Sequence, residues 1–226
     1  MRIRRARPYR LLLWCLMALV LPASGAGGDA GQRLRAAASL GDARAVHEAL
    51  QAGAPIDARD ARGRTALLLA THGNHVDAAR VLVQAGADVN AKDAIQDSPY
   101  LYAGARGLDA ILELTLQHGA DLASTNRYGG TALIPAAERG HVRTVQRLLQ
   151  AGVAVDHVNR LHWTALLEAI VLSDGGPAHV EIVQALLAAG ADPMLADGEG
   201  VTPLAHARQR GYHAIVSLLR AAGADH

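Results

Sequence analysis

Three side chains in the second half of the chain have the types that proton transfer requires: Glu138, Glu168 and His206. A carboxylate and an imidazole can divide acid and base roles when both face one substrate atom, but helix positions alone do not bring them there. The remaining catalytic repertoire is thin. No GxSxG, phosphate-loop or HExxH pattern occurs, and Cys15 is the single thiol. His72 and His75 lie three apart in THGNH, which supplies two ligands where a zinc site needs three or four. No cofactor and no metal site are expected. Glu168 is odd for another reason, since it sits among Leu166, Leu167 and Ile170 in WTALLEAIVLSDGGPAHV.

The N-terminus limits where such groups operate. MRIRRARPYR carries five arginines and precedes the apolar run LLLWCLMALVLPASGA, the layout of a secretory signal peptide with Ser24 and Ala26 suited to the cleavage site. Residues 1–26 are expected to be removed, leaving a periplasmic or secreted protein. The apolar run is shorter than the ~20 residues that span a bilayer, so an inner-membrane anchor by an uncleaved signal is the alternative. Arg4 and Arg5 leave the choice between the general and the twin-arginine route open. Removing the five arginines leaves 17 basic against 21 acidic residues, a net charge of −4. That balance offers no surface for tracking phosphates, so nucleic acid is not an expected partner.

The elements that position the acids follow from a repeat. Thr65, Ser98, Thr131, Thr164 and Thr202 open TAL-like triplets spaced 33, 33, 33 and 38 residues apart. Gly53, Gly86, Gly119, Gly152, Gly190 and Gly223 keep the same rhythm. On these residues the chain resembles the ankyrin repeat family, whose unit is 33 residues with a T-P-L-H-x-A signature. The resemblance implies an all-α solenoid: a cap at 31–59, repeats at 60–92, 93–125, 126–158 and 159–196, and a final capping repeat at 197–226, in one domain spanning 27–226. Leu68, Leu101, Ile134, Leu167 and Ala205 replace the signature histidine, and proline follows the cap residue only at Pro99 and Pro203.

One unit gives the same picture from its residues. Asp60 to Arg64 forms a turn, Thr65 caps a short helix carrying Leu67 and Ala70 on one face, and a second helix carries Val76, Ala79, Leu82 and Val83 before stopping at Gly86. Asn74 ends the first helix where glycine is usual. A unit this small has too little core to fold alone, so neighbours must stack.

Numbering each unit from its turn residue, the threonine is position 6 and position 10 falls on Leu69, Tyr102, Pro135, Glu168 and His206. Positions 10, 13 and 14 share a helix face, which places Glu168 in the concave groove and away from the apolar set around it. The groove then presents Tyr102, Arg106, Glu138, Arg139, Glu168, His206 and Arg210, with Tyr128 and Trp163 at turn positions. Aromatic area beside arginine is the composition of interaction hot spots. The five extra residues, Ser173 to Pro177, fall between the two helices of the fourth repeat. They are either a tolerated long turn, since lengthening a loop costs little, or a segment, flexible at Gly175 and Gly176, that folds over the groove end with Asp174 beside Glu168.

The expectation is a non-enzymatic module, assumed monomeric, that binds a partner protein through groove and turn tips. Five units give a groove roughly 40–50 Å long, enough for about 800 Å² of interface per side. Family resemblance adds that exported ankyrin proteins are connected with support of periplasmic peroxide-detoxifying enzymes. The alternative is a small-ligand or catalytic pocket built from Glu138, Glu168, His206 and the 173–177 loop.

Overall fold

The computed structural model describes residues 26–225, with side chains from Ala30 onward, so the expected signal segment lies outside the described residues except for Ala26. Among the described residues the regular elements are twelve helices: α1 (Ala26–Leu40), α2 (Ala43–Gln51), α3 (Ala66–His72), α4 (Val76–Gln84), α5 (Pro99–Arg106), α6 (Asp109–Gln117), α7 (Leu133–Glu138), α8 (Val142–Ala151), α9 (Ala165–Val171), α10 (Pro177–Ala188), α11 (Pro203–Gln209) and α12 (His213–Ala221). They pack in two rows. The odd-numbered helices stack on one another as an inner row, the even-numbered as an outer row, and each pair is joined by its own hairpin.

Side-chain size sets the inner spacing. Position 11 is alanine in every unit (Ala70, Ala103, Ala136, Ala169, Ala207), all fully buried, so the short helices approach closely. Leu67, Tyr100, Leu133, Leu166 and Leu204 at position 8 fill the space toward the outer row, where Leu82, Leu148, Leu186 and Leu219 meet them. Removing one such leucine side chain costs ~2–5 kcal/mol.

Each turn is built the same way. The position 1 side chain (Asp60, Asp93, Asn126, Asn159, Asp197) accepts from the backbone N–H groups of positions 3 and 5, at 2.8–3.1 Å. These Asx bonds hold position 3 rigidly at the tip. Thr65, Ser98, Thr164 and Thr202 then cap the inner helices, each accepting from an N–H at 3.2 Å.

The third repeat breaks that rule. In the other four units the position 10 N–H donates to the cap carbonyl, as from Glu168 to Thr164 at 3.0 Å. Pro135 has no N–H to give, so α7 begins only at Leu133 and the buried Thr131 hydroxyl finds no partner.

A groove recess with a buried acid

The groove holds a recess of about 470 Å³ on the inner face, walled by α5, α7 and α9 and by the turns before α7 and α9. Tyr102, Arg106, Tyr128, Glu138, Arg139 and Glu168 all line it. Six of the ten expected contact residues therefore share one cavity, and the other four do not.

Glu168 faces the groove, as its register places it, but as a buried group at the floor of the recess. Only 6% of the residue is exposed. Its Oε1 accepts from Asn159 Nδ2 at 2.8 Å, because a position 10 side chain leans back along the helix toward its own turn. Asn159 thereby uses both ends of its amide: its oxygen accepts from the N–H groups of Leu161 and Trp163 while its nitrogen donates to the acid. Burial, and then the neighbouring Glu138 carboxylate, push the Glu168 carboxyl up to about 7 against the pull of Asn159 and Arg139.

His206 shows the same local rule with other residues. Its Nε2 meets Oδ2 of Asp197, nine residues earlier, at 2.7 Å. The histidine is occupied by its own turn and does not line the recess, so it forms no acid/base set with Glu138 and Glu168. Arg210 is likewise committed, donating to the Val171 carbonyl at 3.0 Å. Arg139 makes the equivalent bond to the Ala105 carbonyl; these two arginines at this helix position each tie their repeat to the one before. In the fourth repeat the position is Leu172, 51% exposed at the recess edge.

Trp163 is half-buried outside the recess. The 173–177 loop also departs from expectation. It packs against the last repeat, with the Tyr212 hydroxyl donating to the Ser173 carbonyl at 2.6 Å. Gly175 has φ +67°, and a Cβ there would lie 2.5 Å from the Tyr212 ring. Asp174 is drawn to His179, 3.4 Å away, and lies off the recess. Gly175 thus allows contact with Tyr212, a residue too distant in sequence for local spacing to suggest.

The aromatic groups are arranged around cations. Arg127 lies 4.9 Å from the Tyr128 ring centroid and 3.8 Å from the Asp97 carboxylate. Arg106 lies 6.0 Å from the centroid of Tyr102, whose other neighbour is the His72 ring at 4.3 Å. His75 contacts the Ser39 carbonyl at 3.1 Å, so the THGNH pair serves packing between repeats. Among the described residues no group of three or more His, Cys, Asp or Glu is placed to hold a metal ion, and no helix is long and apolar enough to cross a membrane.

Two rows of short helices joined by hairpin turns, with a groove lined by turn tips, define a helical repeat scaffold. The family model for ankyrin repeats (three copies) matches residues 29–93 and 100–197, and the chain belongs to the ankyrin repeat family. It is similar to an ankyrin repeat domain from Acinetobacter baumannii AYE, with 61% identity and a TM-score of 0.84 over 85% of this chain and 98% of that one. The ankyrin repeat domain of Bcl-3 superposes with a TM-score of 0.76 at 29% identity, covering 85% of this chain and 86% of that one. A curated relative, the Escherichia coli (strain K12) ankyrin repeat protein YahD, is 59% identical over 58 residues, which is 26% of this chain and 29% of that protein. The chain thus spans under a third of that relative's length. Ankyrin repeats generally mediate protein–protein interaction and are typically non-enzymatic.

Proposed function

We propose that the chain is an interaction module that holds a partner protein against the recess and the neighbouring turn tips. The observation that carries this reading is the recess itself: two tyrosines, arginines and a buried acid converge on one concavity of a fold whose relatives bind proteins. Arg139 and Glu138 match charge, while Tyr102 and Tyr128 supply rigid contact area. The signal-like N-terminus supports work in the periplasm after cleavage near Gly27, where support of an enzyme such as one for peroxide defence is a fitting role. N-terminal sequencing of protein from the periplasmic fraction tests the export step; a chain starting at Met1 and found in the cytoplasm contradicts it.

The interaction reading is tested by capture from extract. Tyr128→Ala/Arg139→Ala should lose the specific partner, whereas Arg143→Ala/Gln150→Ala on outer helix α8 should keep it. Equal capture by both variants removes the groove from the account.

A further inference from the structure

Position 3, the residue that each Asx turn fixes at its tip, is Arg62, Ile95, Tyr128, Leu161 and Glu199 along the solenoid. The three central ones are large, apolar or aromatic, and more than half exposed: Ile95 at 52%, Tyr128 at 54% and Leu161 at 57%. Exposed apolar residues are ordinary singly, but three in register on consecutive rigid tips form a stripe, and contiguous apolar surface marks interaction sites. Charged tips close it at both ends, and Tyr128 and Leu161 also form the lip of the recess.

The charge inside the recess is uneven. Each arginine at its rim is already engaged: Arg127 with Asp97 and the Tyr128 ring, Arg139 with the Ala105 carbonyl, Arg106 beside the Tyr102 ring. The acids, Glu168 buried and Glu138 half-buried, are less well served. Glu168 has one hydrogen bond, from the neutral Asn159. The Glu138 carboxylate has no hydrogen bond or ion pair among the described residues; only the residue's backbone carbonyl is engaged, accepting from His179 Nε2 at 3.0 Å. Rim charges are screened by water and salt, whereas a carboxylate at the floor is not. Neither acid has an ion pair among the described residues, so a cation entering the recess can pair with both.

We propose that the partner segment is an extended chain whose apolar side chains lie on Ile95, Tyr128 and Leu161 and whose lysine or arginine enters the recess to pair with Glu168 and Glu138. This rests on the groove reading above and adds the chemistry of the occupant. Successive tips are about 10 Å apart, the spacing of stacked helices. An extended chain in the polyproline II conformation advances ~3.1 Å per residue with three residues per turn, so apolar residues three apart share a face and match the tips.

The probe is a seven-residue acetylated, amidated peptide with leucine first, fourth and seventh, lysine third and alanine elsewhere. Two companions carry norleucine or glutamate in place of lysine. Titrated into ¹⁵N-labelled protein at pH 8, the lysine peptide should move the amides of Tyr128, Asn159 and Glu168 and bind about tenfold more tightly than the norleucine peptide. Glu168→Gln should abolish that preference while leaving the norleucine affinity unchanged. Equal binding of the lysine and norleucine peptides, tighter binding of the glutamate peptide, or no lysine-peptide binding at millimolar concentration overturns the proposal. Should that happen while Tyr128→Ala/Arg139→Ala still loses the captured partner, the groove reading stands without its cation. Lysine-dependent binding alongside undiminished capture by that variant has the opposite meaning.

Discussion

Replacing Glu168 by glutamine should stabilise this protein at alkaline pH and leave it unchanged in acid. In the unfolded chain the carboxyl has an ordinary affinity for its proton, near 4.5, and in the folded protein that rises to about 7. Between those values the native state holds more protons than the unfolded state, so stability falls as pH rises through the window. Below pH 4.5 the acid is neutral in both states and costs nothing on this account. Above pH 7 it is ionised in both, and the folded state bears the full penalty of a dehydrated carboxylate beside Glu138. At about 1.4 kcal/mol per unit, a shift of this size amounts to roughly 3 kcal/mol.

Glutamine keeps an oxygen for Asn159 Nδ2 and never ionises. Urea unfolding of both proteins at pH 4.5, 6 and 8 isolates this group, because every other titration is common to the pair. The stability difference should be near zero at pH 4.5 and about 3 kcal/mol in favour of glutamine at pH 8. A difference that stays constant across the window, or a glutamine variant less stable at pH 8, would falsify the buried placement of the acid.

Further outcomes follow from single contacts. Thr164→Ala removes the cap bond to the Leu167 N–H and should cost about 1 kcal/mol, whereas Thr131→Ala, whose hydroxyl has no partner, should cost far less; equal losses in urea midpoints would contradict the effect assigned to Pro135. Tyr212→Phe deletes the donation to Ser173 for about 1 kcal/mol, and Gly175→Ala, which drives a Cβ against that ring, should cost more, both read as faster amide exchange in α12. Arg139→Ala withdraws a charge that helps Glu168 ionise, so the ¹³C titration midpoint of that carboxyl should move further up from about 7; a fall would mean that the guanidinium does not act on the acid.

The solenoid was legible because its determinants are local and repeated: a cap threonine, an alanine column and a turn glycine recur at one period. The site was legible in part. Position counting brought Tyr102, Arg106, Glu138 and Arg139 to one face, since they project from stacked helices in the same register. It brought Glu168 to the groove without its burial, and it did not foresee that His206 is held by its own turn away from the recess. Asn159 and Asp197 stand nine residues before them, a spacing visible in the sequence that matches an amide to an acid and an acid to an imidazole. The tip stripe was equally present in the order Ile95, Tyr128, Leu161, once position 3 is followed down the repeats. The resting place of the 173–177 loop was not, because Tyr212 meets it through packing between repeats that no local spacing encodes.

The claim that a partner sits in the recess is tested most directly by a photo-reactive amino acid placed, in living cells of the source organism, either at Tyr128 on the recess lip or at exposed Gln150 on outer helix α8. A discrete protein adduct from position 128, lost on adding Arg139→Ala and absent from position 150, is the outcome this account requires. Adducts of equal yield from both positions, or from position 150 alone, would contradict it.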